Sequence, residues 1–255
     1  MAVPRSEGVR GSAAVVTGAG SGIGRACSER LAARGHVVLA VDVDGPALEQ
    51  TRQAIASSGG SCVPFVVDVT SAPAVADFCR VAEADHGPAD VLVNVVGGAQ
   101  LASVQNMSYA QWDDQVRFNL SSVYLVCHAF LPGMVAAGRG AIVNTSSGWG
   151  FMPAPERSAY AASKAGVVAF SRALAAELGP QGVRVNVVSP GPIATERMRA
   201  LIRDDPHAQG KHANIPLGRF GTPAEVAAAV AFLTSEDASY VCGQVLHVNG
   251  GVYMP

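Results

Sequence analysis

The sequence predicts a single α/β domain over residues 1–255, a doubly wound parallel sheet of seven strands flanked by helices. Three observations carry that expectation. Seven short apolar runs rich in β-branched residues alternate with longer alanine-rich segments, the pattern of strands buried on both faces beneath covering helices. The first run leads directly into TGAGSGIG at 17–24, a glycine loop between a strand and a helix. A length of 255 residues is one that α/β folds commonly fill without dividing.

In chain order, AAVVTG is the first strand and 22–34 the first helix. HVVLAVD precedes a helix over 45–58, with Asp44 before Gly45-Pro46 as its cap or turn residue. CVPFVVDVT leads to a helix over 72–86, and ADVLVNVVGG to a long helix over 108–137. GAIVNTSS is followed by a helix over 156–179, then by the strand VRVNVVSPG. The last helix, 223–235, opens on Thr222-Pro223-Ala224-Glu225, with threonine as N-cap and proline at the first helical position. QVLHVNGG closes the sheet. No internal repeat or linker divides the chain, and no added domain is expected after Asn249. The one long polar gap, 192–215, is expected to be a substrate lid. Such alternation places the ligand site at the carboxyl ends of the strands.

Composition excludes several classes. Charged residues make up 15% and the net charge is −2, which suggests neither disorder nor a nucleic-acid surface. Five scattered cysteines lack the close pairing of a metal site or disulfide framework, and the six histidines show no metal spacing or triad pattern. No metal is expected. The N-terminus has no long apolar run after a basic start, and no later segment approaches eighteen uninterrupted apolar residues. A soluble cytoplasmic protein without a membrane partner is expected.

Within the loop, Gly18 permits the tight turn, Gly22 lets the backbone approach a ligand, and Gly24 allows close packing of helix on strand. The amides around Ser21, Gly22 and Ile23 would then face a dinucleotide pyrophosphate. Asp42 follows the second strand, eighteen residues beyond Gly24, where a carboxylate can accept hydrogen bonds from an adenosine ribose. Against the 2′-phosphate of NADP the same carboxylate is a like charge, so NAD is the expected cofactor. Arg25, the nearest cation in sequence, is expected to face the pyrophosphate side or solvent. Farther on, SAYAASKAG at 158–166 sets Tyr160 and Lys164 on one helix face. Lys164 is one of two lysines in a chain with sixteen arginines.

Tyr-x-x-x-Lys at 160–164 together with TGAGSGIG resembles the short-chain dehydrogenase/reductase family over nearly the whole chain. Further motifs of that family stand in order: Asp68 in VVDVT, Asn94 and Gly97 in NVVG, Asn119 in VRFNL, Ser147 in IVNTSS, Asn186, and SPGPIAT at 189–195. The resemblance implies a Rossmann-type fold and a nicotinamide-dependent oxidoreductase in which Asn119, Ser147, Tyr160 and Lys164 form the catalytic set. It places Asp68, Val69 and Asn94 near the adenine and Pro190, Gly191, Ile193 and Thr195 around the nicotinamide end, with Gly97 also at the cofactor. It implies a homotetramer built through 108–137, 156–179 and the last strand. Where family members commonly carry a second asparagine, this chain has Val95.

Interconverting a secondary alcohol and a ketone moves one hydride and one proton; the cofactor takes the hydride and the protein must route the proton. A free tyrosine titrates near pH ~10, too high for an efficient base at neutrality. A cation about 4 Å away, at an effective dielectric of about 20, favours the phenolate by roughly 4 kcal/mol. Lys164 is therefore expected to lower the pKa of Tyr160 while holding the nicotinamide ribose. Ser147 is expected to hold the substrate oxygen, with a strand-terminal cap as the simpler role that neighbouring Ser146 could take instead. By family likeness Asn119 bends its helix and holds a proton-relaying water.

Residues after the strand ends are expected to line the substrate pocket: Gly98 and Gln100, then Trp149 and Phe151, then Pro192. The expected reaction is interconversion of a secondary alcohol, or a hydroxyacyl group, with its ketone. A 3-oxoacyl thioester reductase is the alternative within the enzyme class, and a non-catalytic cofactor-binding sensor the alternative outside it.

Overall fold

The computed structural model describes residues 12–153, 155–196, 198–200 and 214–255. Most of the expected lid, including Arg197, Arg203, Asp204, Asp205 and Lys211, lies outside the described residues. Seven parallel strands form one sheet: β1 (Ala13–Thr17), β2 (Val37–Asp42), β3 (Ser61–Val66), β4 (Val91–Asn94), β5 (Gly140–Thr145), β6 (Val183–Pro190) and β7 (Val245–Val248). Their order is β3-β2-β1-β4-β5-β6-β7, so the winding reverses between β1 and β4. A crevice opens there, at the carboxyl ends.

Alternate residues of each central strand feed two separate cores. Val15, Leu39, Leu92, Ile142 and Val185 face a layer made by α3 (Ala72–His86), α5 (Ser122–Ala137) and α6 (Ser158–Leu178). Val16, Val38, Ala40, Val93 and Val143 face α1 (Gly22–Ala32), α2 (Gly45–Ser57) and the helix Pro223–Leu233, here α7; α4 (Tyr109–Val116) leads into α5 and packs on α6. Phe130, wholly buried against Phe78, anchors the first layer. Truncating such a residue to alanine costs about 3–5 kcal/mol.

Local sequence sets the helix starts. Asp44 caps α2 by accepting from the Ala47 amide at 3.0 Å. Thr222 and Glu225 form a reciprocal capping box at α7.

Two expectations change. The strands are not all buried on both faces: β3 is largely exposed and β7 half-buried, because each is an edge of the sheet with a neighbour on one side only. The helix expected over 108–137 is a continuous rod with a wide π turn at Arg117–Ser121 between α4 and α5. By length and mean hydropathy (1.6) that rod, Tyr109–Ala137, could cross a membrane, although the sequence shows no long uninterrupted apolar run. Here its apolar side chains Val126, Phe130 and Met134 belong to the core beneath the sheet.

Candidate active site

The shape of the crevice is decided first by the backbone between β1 and α1. Gly18 and Gly22 hold positive φ angles of 66° and 51°, which side chains disfavour. Gly24 meets a different demand: a Cβ there would fall 1.9 Å from the Gly18 carbonyl oxygen, so the helix can pack on the loop only with glycine. Ser21 is the N-cap of α1 but makes no side-chain cap bond, which leaves the first amides of that helix for another acceptor.

Several side chains hold the loop in place. Thr51 donates from its hydroxyl to the Ala19 carbonyl at 2.9 Å, and Asp42 Oδ2 accepts from the Gly20 amide at 3.0 Å. The other Asp42 oxygen accepts from the Asp44 amide at 3.2 Å. Arg25 departs from expectation. Its guanidinium lies across α2, donating to the Gly20 carbonyl (2.7 Å), Thr51 Oγ1 (3.2 Å) and Gln50 Oε1 (3.2 Å), so it serves as a clamp between loop and helix.

Beyond the loop runs a cleft of ≈ 510 Å³, a size suited to a small-molecule cofactor. Ten of the residues nominated from sequence line it: Gly18, Ser21, Gly22, Ile23, Gly24, Asp42, Asp68, Val69, Gly97 and Thr195. Asp68 accepts from the amide and hydroxyl of Thr70 at 2.9 and 2.7 Å, and those bonds lower its pKa, keeping it ionised. Asn94 is turned the other way. Its amide donates to Asn144 Oδ1 at 2.9 Å inside the core, while the residues after it, Val95, Val96 and Gly97, face the cleft. Pro190, Gly191 and Ile193 act on the segment's path: Gly191 donates to the Val248 carbonyl at 2.9 Å, and Ile193 is buried and bridged to Gly221. Thr195 is thereby brought over the loop, its Cγ2 3.2 Å from where a Gly22 Cβ would stand.

Behind Gly97 of this cleft, Lys164 is buried and donates from Nζ to the Thr145 carbonyl at 2.9 Å. Burial pushes its pKa down to about 8, still high enough to leave an ammonium at neutral pH. The Tyr160 ring centroid is 5.9 Å from that nitrogen. Gly97 marks the junction of the set, for a Cβ there would lie 2.8 Å from both Lys164 Nζ and Asn119 Oδ1. Asn119 sits in the π turn and clamps Gly98 on both sides, accepting from its amide (2.9 Å) and donating to its carbonyl (3.0 Å). Wide turns of this kind often mark functional sites. Ser146 and Ser147 part company: Ser146 donates to the Lys164 carbonyl at 2.8 Å and is buried, whereas Ser147 Oγ accepts the Trp149 amide at 3.3 Å.

The chain matches the model of the enoyl-(acyl carrier protein) reductase family over residues 18–253. It is 40% identical to the 3-oxoacyl-[acyl-carrier-protein] reductase FabG of Escherichia coli, over 96% of this chain and 98% of that one. It is 39% identical to the D-threitol dehydrogenase of Mycolicibacterium smegmatis, over 94% and 92%. A solved short-chain dehydrogenase/reductase from Burkholderia xenovorans superimposes with a TM-score of 0.91 at 35% identity, covering 94% of this chain and 96% of that chain. The chain belongs to the short-chain dehydrogenase/reductase family. It is an oxidoreductase acting on CH–OH groups, and a nicotinamide dinucleotide is its cofactor.

Other parts of this dehydrogenase/reductase were less visible in advance. Phe118, Glu196 and five valines (41, 43, 67, 95 and 96) line the cleft without having been nominated. Their only signal was adjacency, since Val67, Phe118 and Glu196 each neighbour a nominated residue. Of the residues expected at the substrate pocket, Gln100 donates its backbone amide to Gln115 Oε1 at 3.3 Å, and Pro192 accepts from the Gly221 amide at 3.0 Å. Phe151 stacks on Tyr253 (5.4 Å) and meets His247 edge-on (4.8 Å), so its ring is engaged by the chain's last residues. Among the described residues, no cluster of three or more His, Cys, Asp or Glu side chains could hold a metal.

Proposed function

We propose that this protein is an NAD-preferring dehydrogenase that interconverts a secondary alcohol and its ketone through Tyr160, Lys164, Ser147 and Asn119. The observation that carries the reading is the buried Lys164 ammonium, fixed on the Thr145 carbonyl one helical turn from Tyr160 and beside Gly97 of the cofactor cleft.

The residues present fit a dinucleotide. Gly18 and Gly22 supply the backbone curvature, the uncapped start of α1 supplies amides for the pyrophosphate, and Asp42 stands where the adenosine ribose would lie. Asp68 and Val69 flank the adenine side, with Asn94 setting the path of the strand behind it; Pro190, Gly191 and Ile193 carry Thr195 to the nicotinamide end. When bound, the nicotinamide accepts or returns the hydride.

The chain's own residues handle the proton. Tyr160 takes it from the substrate hydroxyl during oxidation and returns it during reduction, its phenolate favoured by the Lys164 charge. Lys164 keeps further donors for the nicotinamide ribose while one is spent on Thr145. Ser147, held by the Trp149 amide, orients the substrate oxygen and stabilises developing negative charge. Asn119 holds the Gly97–Gly98 backbone against the same site. The pocket beyond comprises Gly98, Gln100, Trp149, Phe151 and Pro192.

The 40% identity to FabG favours a second reading, reduction of a 3-oxoacyl thioester. A panel of alcohols, ketones and acyl thioesters, followed by absorbance of the reduced nicotinamide, separates the two. No turnover of any member by the native protein, with NAD bound, would leave the sensor reading in place.

The reading extends to a cytoplasmic homotetramer. Five free cysteines suit a reducing compartment. The uncovered edge of β7 and the exposed Tyr124 on α5 are surfaces that subunit contacts would use. A monomer at micromolar concentration in sedimentation would count against it.

A further inference from the structure

Beside Trp149, one of the residues proposed for the substrate pocket, stands a cation that the mechanism does not use. Arg157 lies three residues before Tyr160, at the N-cap position of α6, and its carbonyl accepts the first helical bond from Ala161 at 2.8 Å. The guanidinium carbon stands 5.1 Å from the centre of the Trp149 ring. Trp149 in turn gives its amide to Ser147. A hydrogen bond from Ser147 to the Trp149 backbone and a cation–π contact from the Trp149 ring thus connect one proposed catalytic side chain to an arginine three residues before the other.

The backbone under this arginine is held in an uncommon shape. Glu156 has a φ of 61°, a left-handed conformation that non-glycine residues seldom adopt, and its carbonyl accepts the Ala102 amide at 3.0 Å. That bond ties the loop after β4 to the start of α6. The positive φ of Glu156 sets the path of the backbone immediately before Arg157, and the stacking on Trp149 places its guanidinium.

Among the described residues, Arg157 makes no ion pair with a carboxylate, and its one side-chain hydrogen bond is to the Pro155 carbonyl at 3.3 Å. The guanidinium fork has five N–H donors and matches a carboxylate in two-pronged fashion. Stacking on an aromatic ring leaves the edge of that fork open.

Resting on the dehydrogenase reading above, we propose that Arg157 is a specificity-determining residue that selects a substrate bearing a carboxylate near the reacting carbinol: a small hydroxy acid or its keto acid. Arg157 precedes Tyr160 by three residues and stacks on the ring of Trp149, whose amide is bonded to Ser147, so the guanidinium is linked by chain and contact to both side chains proposed to meet the substrate oxygen. A carboxylate a few bonds from the reacting carbon suits that arrangement. The phosphates of a carrier-linked thioester are separated from the thioester carbonyl by a long arm and would lie beyond this arginine.

The experiment compares 3-hydroxybutyrate with 2-butanol and with 3-hydroxybutyryl-CoA, using the full chain with NAD bound. Native protein is expected to favour 3-hydroxybutyrate over 2-butanol by at least tenfold in kcat/KM. Arg157→Ala should raise KM for the acid by about 10- to 100-fold, with kcat and the constants for 2-butanol nearly unchanged; Arg157→Lys should recover part of the loss. Unreactive butyrate should inhibit native protein competitively, and Arg157→Ala weakly. Equal loss on acid and neutral substrates overturns the assignment, as does a native preference for 2-butanol. Preference for the CoA thioester that survives Arg157→Ala assigns the anion to the carrier and also overturns it. If no substrate turns over and butyrate does not bind, the dehydrogenase reading fails as well; turnover of 2-butanol without discrimination sinks only the role of Arg157.

Discussion

The cofactor cleft and the proposed substrate side are built differently. The cofactor half is held by bonds made close at hand: Gly20 to Asp42, Ala19 to Thr51, and Arg25 across to Gly20, all within the first β-α-β-α stretch of chain. The substrate half joins distant segments. Ala102 meets Glu156, Gln100 meets Gln115, and Phe151 meets His247 and Tyr253. The glycine loop can be preformed by local folding, while Thr195 over that loop and the contacts on the other side require the rest of the sheet to assemble first. Substitutions in the first should act on dinucleotide binding, and substitutions in the second on substrate.

Tyr160→Phe should break the division most sharply, because it removes only the proton-carrying hydroxyl at the boundary between the halves. Turnover is expected to fall by about three orders of magnitude, with NAD affinity by calorimetry within about twofold of native. A comparable fall in NAD affinity would show that the boundary lies elsewhere.

Asp42→Asn sharpens the comparison from the cofactor side. The amide oxygen can still accept from Gly20, so the loop should stay in place while the charge disappears. At about 5 Å and an effective dielectric of about 20, the native carboxylate repels a unit charge on a 2′-phosphate by roughly 3 kcal/mol, about a hundredfold in affinity. The ratio of NAD to NADP efficiency should therefore contract by up to about that factor. Equal use of both cofactors by the native protein would remove Asp42 from the ribose.

A pH experiment tests the buried charge where the halves meet. The Lys164 ammonium has a folded pKa near 8 against an ordinary 10.5, so the unfolded chain binds more protons between those values. Stability contributed through this group is lowest below about pH 8 and recovers as pH rises toward 10.5. Other groups titrate there too, so the measurement is a difference. Native protein minus Lys164→Met in urea unfolding should gain stability with pH by at most about 3 kcal/mol across that window. A flat difference would place the lysine in solvent.

What the sequence disclosed follows the same divide. Gly18, Gly22 and Gly24 were legible because their demands, positive φ and the absence of a Cβ, exclude other residues and so mark the chain locally. Tyr160 and Lys164 were legible through helical spacing. The inward turn of Asn94 was not, since a residue at a strand's end faces core or cleft according to which partner waits there, and Asn144 belongs to another strand. Arg25 misled for a related reason: its position at a helix start suggested the pyrophosphate, but Thr51 and Gln50 on the next helix claim it. The π turn at Asn119 leaves no spacing signature, although the polar residue in an apolar helix was itself a hint.

The smallest expected effect lies deepest in the assembled half. Phe151 was nominated as a pocket residue, and the structure adds that its ring is packed between His247 and Tyr253. Phe151→Leu keeps most of the apolar volume but loses the ring contacts, each worth about 0.5–1.5 kcal/mol beyond burial. The segment that follows Ser147 should then shift slightly, raising KM for substrate a few fold while NAD affinity and kcat stay near native values. Tyr253→Leu should reproduce the change, because it removes the stacked partner from the opposite side without touching the pocket wall directly. If both variants instead weakened NAD binding while KM for substrate held steady, the chain's last residues would belong to the cofactor half, and the division between local and long-range construction would have to be redrawn at Ser147.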